Sequence, residues 1–255
     1  MRGLRKAYGG IKALQNVDLT VRPGSIVAVI GPNGSGKTTL FNLITGMVKP
    51  DAGTVRLAGK DITGLAPHLI VERGIARTFQ NLRLFANMTV TDNVLVGTHA
   101  RTATGALGAV IRSPRVRREE AEARKRALSV LAIFGNRLLP RVAHLARTLS
   151  YANRRRLEIA RALVSEPALL LLDEPTAGMN PTETLELTDQ IRSLRERGIT
   201  ILLIEHKLNV VNEIADTVIV LDHGEKIAEG APEEVHRNED VLSAYLGRTA
   251  ARAAS

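Results

Sequence analysis

The sequence predicts an α/β fold built on a largely parallel sheet, and three observations carry the prediction. Short apolar, β-branched stretches bounded by Gly or Pro recur at 25–30, 54–57, 75–79, 169–172, 200–204 and 217–221, as mostly buried strands do. Helical patterns lie between several of them, and such alternation marks parallel strands joined by crossover helices. From about 91 to 164 no strand-like stretch occurs and Ala, Arg, Glu and Leu take over, which predicts a helical insertion.

In chain order, Met1 stands only seven residues before Tyr8 and the Gly9-Gly10 turn, which leaves little room for a complete first strand. Either that strand is clipped or the natural start lies upstream. Strand 25–30 leads into a helix over 37–45 that Gly46 stops, and strands 54–57 and 75–79 follow. Inside the insertion, 101–112 is rich in Gly, Ala and Thr and reads as a loop or weak helix, whereas Ser113-Pro114 opens a long charged helix to about Phe134. A helix over 182–196 is entered through Asn180-Pro181 and closed by Gly198. Asn at the N-cap, Pro at the first helical position and Gly past the end are what those positions favour. The tail from Arg248 reads as frayed.

A chain of 255 residues can bury a sizeable core in one generous domain or two small ones. It contains no Cys, which excludes disulfides, thiolate zinc sites, iron–sulfur clusters and a cysteine nucleophile. Its apolar runs at 168–172 and 201–204 fall far short of the ~20 residues of a membrane-spanning helix. The start, Met1-Arg2-Gly3-Leu4-Arg5-Lys6, lacks the apolar core of a secretory signal. The 35 Lys and Arg against 26 Asp and Glu give a net charge of +9, with only three Tyr, four Phe and no Trp. So few aromatics make poor stacking platforms for single-stranded nucleic acid, and the charge alone does not decide the partner; with the motifs below, no nucleic-acid partner is expected.

Strand 25–30 runs directly into Gly31-Pro32-Asn33-Gly34-Ser35-Gly36-Lys37-Thr38-Thr39 and then into a helix. This is G-x-x-x-x-G-K-[ST] in the strand–loop–helix setting that gives it meaning. Glycines let consecutive backbone N–H groups point inward as an anion nest, and the helix N-terminus adds its positive end. Lys37 is expected on the β- and γ-phosphates and the Thr38 hydroxyl on Mg²⁺.

A second element sits where the first requires it. Four leucines at 169–172 end in Asp173-Glu174, placing two carboxylates at the sheet edge where α/β folds bind ligands. Asp173 is expected to hold Mg²⁺ through water, and Glu174 to orient or deprotonate an attacking water. The guanine-reading Asn-Lys-x-Asp tetrapeptide of GTPases does not occur.

Two further segments, 149–163 and Ile204-Glu205-His206, complete a resemblance to the ATP-binding subunits of ABC transporters across essentially the whole chain. In that family's order, Tyr8 matches the aromatic that stacks on adenine, 31–39 the Walker A loop, and Gln80 the Q-loop. Leu149 to Asn153 match the signature, Asp173 and Glu174 Walker B, 177–180 the D-loop, and His206 the switch histidine. The resemblance implies a P-loop NTPase (RecA-like) core over 1–83 and 165–255, with a mostly parallel sheet, an antiparallel β portion and an inserted α-helical signature subdomain over 84–164. It also implies a composite site, in which ATP and Mg²⁺ on Walker A of one subunit meet Ser150 and the backbone at Ala152 of the other. Gln80 is then placed to sense Mg²⁺ and water, and His206 to bond the γ-phosphate and hold Glu174 in line.

Ala152 and Asn153 depart from the usual Gly and Gln of the signature. The added Cβ matters if position 152 needs a positive φ or a close approach to phosphate; hydrolysis is then slowed or the closed dimer weakened, and Ala152→Gly leaves activity equal or raises it.

Other stretches look like one branch, the importers of branched-chain amino acids, and especially the larger of their two ATPase subunits. These are Leu40-Phe41-Asn42, residues 77–85, Met88-Thr89-Val90, Tyr151, residues 177–181, Ala244-Tyr245-Leu246-Gly247 and a long segment near 98–118. The implied partners are two membrane permeases, a second similar ATPase or a second copy in a head-to-tail dimer, and, indirectly, an extracytoplasmic binding protein. The implied place is the cytoplasmic face of the inner membrane. Urea, polar amino-acid or lipopolysaccharide transport, or a soluble ATPase acting on ribosomes or DNA, are the alternatives. Leu84, Phe85 and Met88 read either as an exposed docking patch or as a small local core. The cations at 112–126, Arg154 to Arg156, Arg248 and Arg252 read as facing solvent, an anionic leaflet or acidic partners.

Overall fold

The computed structural model describes residues 1–98 and 114–245; the 101–112 segment, Leu246-Gly247 and the tail from Arg248 lie outside them. The elements run β1 (Arg2–Tyr8), β2 (Ile11–Val17), β3 (Ile26–Ile30), α1 (Lys37–Ile44), β4 (Ala52–Thr54), β5 (Arg56–Leu57), β6 (Lys60–Asp61), α2 (Pro67–Glu72), β7 (Ile75–Arg77), α3 (Val90–Val96) and α4 (Pro114–Ile133), then α5 (Tyr151–Leu163), β8 (Leu169–Asp173), α6 (Pro181–Glu196), β9 (Thr200–Ile204), α7 (Leu208–Ile214), β10 (Thr217–Asp222), β11 (Glu225–Gly230) and α8 (Pro232–His236).

A six-stranded sheet of order β11-β10-β3-β9-β8-β7 forms the centre. Its strands are parallel except β11, which pairs antiparallel with β10. β3, β8 and β9 are buried along their whole length, as parallel strands covered on both faces must be. Side chains alternate between two cores. Ile26, Ala28 and Ile30 join the helices of the insertion and α6, whereas Val27 and Val29 face Leu40 and Phe41 of α1 and Leu4 and Leu14 of the small sheet. The insertion shares the first core: Val94 of α3, Ala127 and Leu131 of α4 and Leu157 of α5 pack in the same cluster.

β1, β2 and β4 form a separate antiparallel sheet of order β2-β1-β4. A seven-residue strand, Arg2–Tyr8, does form ahead of the Gly9-Gly10 turn, and the Met1 amino group donates to the Leu19 carbonyl at 2.7 Å. The expected strand 54–57 divides at Val55. The backbone of Val55 turns to Thr63 Oγ1 (2.8 Å) and the Ile62 N–H (2.9 Å) instead of extending a ladder. The expected strand 75–79 stops at Arg77, because the next residues peel away toward α5.

α6 shows how local chemistry fixes an element. Asn180 Oδ1 accepts from the Glu183 N–H at 2.9 Å, and Glu183 Oε2 accepts from the Asn180 N–H at 3.2 Å, a reciprocal capping box. Asn180→Ala is expected to lower global stability by about 1 kcal/mol, read as a reduced urea midpoint at unchanged m-value.

Candidate functional site

The site begins where β3 ends. Gly31 has φ 146°, and a Cβ there would stand 2.0 Å from the Leu221 carbonyl oxygen; Gly36 has φ 105°, and a Cβ would stand 2.5 Å from that of Ala13. Only glycine lets the loop pass both neighbours. Lys37 opens α1 and is buried, its Nζ donating to the carbonyls of Gly31 (2.7 Å) and Pro32 (2.8 Å). The ammonium is thus held inside the loop, against its own carbonyls.

The next parallel strands deliver the carboxylates. Asp173 ends β8, buried, with Oδ2 accepting from Arg77 Nη2 at 2.8 Å. Its other oxygen has no partner among the described residues. Glu174 follows with φ 47°, a strained conformation for a residue with a side chain, pinned by its N–H to the Ile204 carbonyl at 2.9 Å. Glu174 Oε2 accepts from Gln80 Nε2 at 3.2 Å, and Oε1 faces His206 Nε2 at 2.9 Å.

A cavity of about 560 Å³ collects these groups. Asn33, Gly34, Gly36, Lys37, Thr38 and Thr39 line one wall, and Gln80, Glu174 and His206 another. Gly31, Ser35 and Asp173 lie behind that lining; Ser35 is fully buried. The oxygen donors fit a hard cation delivered with a phosphate: the Thr38 hydroxyl, the free oxygen of Asp173, and the Gln80 carbonyl, whose amide N–H₂ is turned to Glu174. Mg²⁺ takes one or two carboxylates together with phosphate oxygens and water.

Sequence reasoning missed the residues that hold this wall. Arg77 also donates to Asn42 Oδ1 (2.7 Å), tying Asp173 to α1. Buried Glu205 accepts from Thr176 Oγ1 (2.7 Å) and the His206 N–H (2.9 Å), and Lys207 Nζ donates to Thr184 Oγ1 (2.9 Å). Together they join the His206 loop to the turn after β8. Lys12 and His223 also line the cavity. His223 occupies a tight turn at φ 46°, a position with no motif to announce it.

Other predicted residues lie outside the cavity lining. Tyr8 ends β1 opposite Ile11, which does line the cavity; the Tyr8 ring is 44% exposed with Lys6 Nζ 5.5 Å above it. Ser150 caps α5, its Oγ accepting from the Asn153 N–H at 3.3 Å. Ala152 lies in the first turn of α5, its backbone is not among the positive-φ residues, and its side chain is buried in the main core. Position 152 therefore does not carry the positive φ that would strain a Cβ.

The reading of Arg154 to Arg156 as solvated also requires correction. Arg155 and Arg156 are fully buried. Arg155 pairs with Glu158 at 2.8 Å and Arg156 with Glu186 at 3.1 Å. Burial pushes the Arg156 guanidinium below and the Glu158 carboxyl above their ordinary ranges, the latter opposed by Arg155.

A glycine-bounded anion loop opening a helix, with Asp-Glu at the end of a parallel strand, defines a phosphate-binding-loop NTPase. Within that class, the ABC transporter profile matches residues 14–177, and a profile described as branched-chain amino acid ATP-binding cassette transporter matches 225–251. The chain belongs to the ATP-binding cassettes of ABC transporters, which couple ATP hydrolysis to transport. It is 45% identical over 248 residues to the high-affinity branched-chain amino acid transport ATP-binding protein LivG of Salmonella typhimurium, covering 97% of this chain and 96% of that one. It is 44% identical over 251 residues to BraF of Pseudomonas aeruginosa, described in the same words, covering 96% of each. A crystal structure of an ABC transporter ATP-binding cassette in its ADP conformation superposes with a TM-score of 0.83 at 34% identity, covering 96% of this chain and 97% of that one.

Because Ala152 is helical and packed, Ala152→Gly is expected to cost about 1 kcal/mol of stability through helix propensity, seen as a lowered thermal midpoint.

Proposed function

We propose that the chain is the ATP-hydrolysing subunit of a membrane importer of branched-chain amino acids, working as a head-to-tail dimer with a similar subunit or a second copy. The observation that carries the catalytic reading is Glu174, held between Gln80 and His206 at the mouth of the Lys37 loop. Gly31 to Thr39 would cradle the phosphates of ATP, with Lys37 turning from the loop carbonyls to the β- and γ-oxygens. Thr38, Asp173 and Gln80 would hold Mg²⁺, which neutralises charge developing on those oxygens. Glu174 would take the proton of the attacking water, oriented by Gln80, while His206 donates toward the γ-phosphate. Tyr8 would stack on adenine.

Ser150 and the N–H groups at the start of α5, including that of Ala152, would face the nucleotide of the partner subunit. Residues 84–164 would act as the signature subdomain of that composite site.

The cargo reading is supported by the names of the LivG and BraF relatives and by the branched-chain segment at 225–251. An ABC ATP-binding subunit works with membrane permeases, and none of the described helices is long and apolar enough to cross a membrane. We place it at the cytoplasmic face, under two permeases served by an extracytoplasmic binding protein. Phe85, 49% exposed beside the Gln80 loop, is the docking candidate; Leu84 instead packs against the main core.

Glu174→Gln is expected to lower ATP turnover by about 100-fold or more and to leave an ATP-bound dimer on size exclusion. Wild-type turnover would remove Glu174 from its role. Phe85→Ala is expected to lose two many-helix permeases from detergent pull-downs while retaining nucleotide binding. Ribosomal proteins in the wild-type pull-down would overturn the importer reading.

A further inference from the structure

After β7 the chain has no regular structure until α3, and four of its backbone polar groups take their partners from α5. Arg155 Nη1 donates to the Phe79 carbonyl at 2.6 Å, and Nη2 to the Gln80 carbonyl at 2.7 Å. Glu158 Oε1 accepts from the N–H groups of Phe79 (3.4 Å) and Arg83 (3.3 Å). One ion pair from α5 therefore grips four main-chain groups of the Gln80 loop. Arg155 Nη2 also reaches the Tyr151 hydroxyl at 3.4 Å, and the Tyr151 ring lies over the turn after β8, 3.2 Å from where a Gly178 Cβ would stand.

This arrangement is costly. Arg155 is wholly buried, and its Nε has no acceptor among the described residues. Buried ion pairs seldom add stability over packed neutral side chains, and their best-attested use is to fix one arrangement of neighbouring parts. A guanidinium fork suits this task because its five donors are fixed in one plane and aimed at separate acceptors, whereas an ammonium offers three donors from a single point on a flexible stem. Arg155 also sits on the helix capped by Ser150, while Gln80 reaches Glu174.

We propose that Arg155, braced by Glu158, is a positioning residue that locks the Gln80 loop to the signature end of α5. Gln80 in its own site and Ser150, facing the partner's nucleotide, then move as one body. The proposal rests on the roles given above to Gln80 and Ser150.

A double-mutant cycle on ATP turnover by the full chain tests it. Gln80→Ala removes the side chain but keeps the carbonyl that Arg155 grips. Arg155→Lys keeps the charge and loses the fork. Arg155→Lys is expected to lower kcat about tenfold, and the combination to fall no more than about twofold below Gln80→Ala alone, since residues acting through one another are not additive. Binding of a fluorescent ATP analogue to the Arg155→Lys monomer should stay within about twofold, because Arg155 does not line the cavity.

Multiplying losses, or a wild-type kcat for Arg155→Lys while Gln80→Ala is impaired, would overturn this proposal alone. A wild-type kcat for Gln80→Ala would overturn the role of Gln80 itself and this proposal with it. If Arg155→Lys does not fold, the charge-neutral combination of Arg155→Gln and Glu158→Gln, which leaves neither charge buried without its partner, goes through the same cycle.

Discussion

The register of four parallel strands is the constraint on which the site depends. Ile204 of β9 stands opposite Val29 of β3 on one side and Asp173 of β8 on the other, and Arg77 of β7 stands opposite Leu171. The loops bearing Lys37, Glu174, His206 and Gln80 therefore leave from one edge of the sheet. A one-residue slip would turn every side chain of a strand to the opposite face, exchanging Val27 and Val29 for Ile26, Ala28 and Ile30 between two differently shaped cores. Burial far from the cavity thus enforces geometry within it. The strained Glu174 backbone persists for the same reason, since its N–H bond to Ile204 is made at the end of a ladder that cannot shift.

Around this edge, buried charge does work that hydrophobic packing cannot. Arg77 with Asp173, Arg155 with Glu158, and the lone carboxylate of Glu205 are all nearly or fully inaccessible. Desolvation offsets most of what such groups gain by Coulomb attraction, so their value lies in what else they touch. Arg77 reaches α1, Glu158 and Arg155 reach the Gln80 loop, and Glu205 reaches both Thr176 and the His206 backbone. Each takes a segment outside the sheet and gives its polar groups fixed partners. The irregular parts of the site are therefore as well determined as the strands that carry them.

What could be read from the sequence follows from how local the chemistry is. The Gly31–Lys37 loop and the Asn180 cap are legible because a few adjacent residues contain the whole physical reason for the structure. β2 and β11 are hidden because each exposes polar side chains on an open face, and alternation that faint does not stand out from a loop. Arg154, Arg155 and Arg156 look like one solvated basic run, yet successive helical residues point in different directions. Arg155 turns to the Gln80 loop and Arg156 to Glu186 on α6. Nothing within the run announces acceptors some 75 residues upstream or 30 downstream. At Ala152 the signature's usual glycine suggests an unusual backbone, whereas this chain keeps the position helical.

The excess positive charge divides on the same principle. Arg77 at the sheet edge and Arg155 and Arg156 on α5 are each paired with a carboxylate within hydrogen-bond distance, Asp173, Glu158 and Glu186, and project little field beyond it. Those of α4 differ. Its Val116, Ala123, Ala127 and Leu131 are buried, while Arg117, Arg118, Arg124 and Lys125 are exposed. Arg117 and Arg124, like Arg118 and Lys125, lie seven residues apart and so share a face. At physiological ionic strength an exposed charge acts over only about 8 Å, so this stripe can serve only a surface brought close to α4. In the proposed location an anionic leaflet is such a surface, worth about 1 kcal/mol per nearby cation. The proposed nucleotide site draws on none of that charge, because its own cation, Lys37, is held inside the loop.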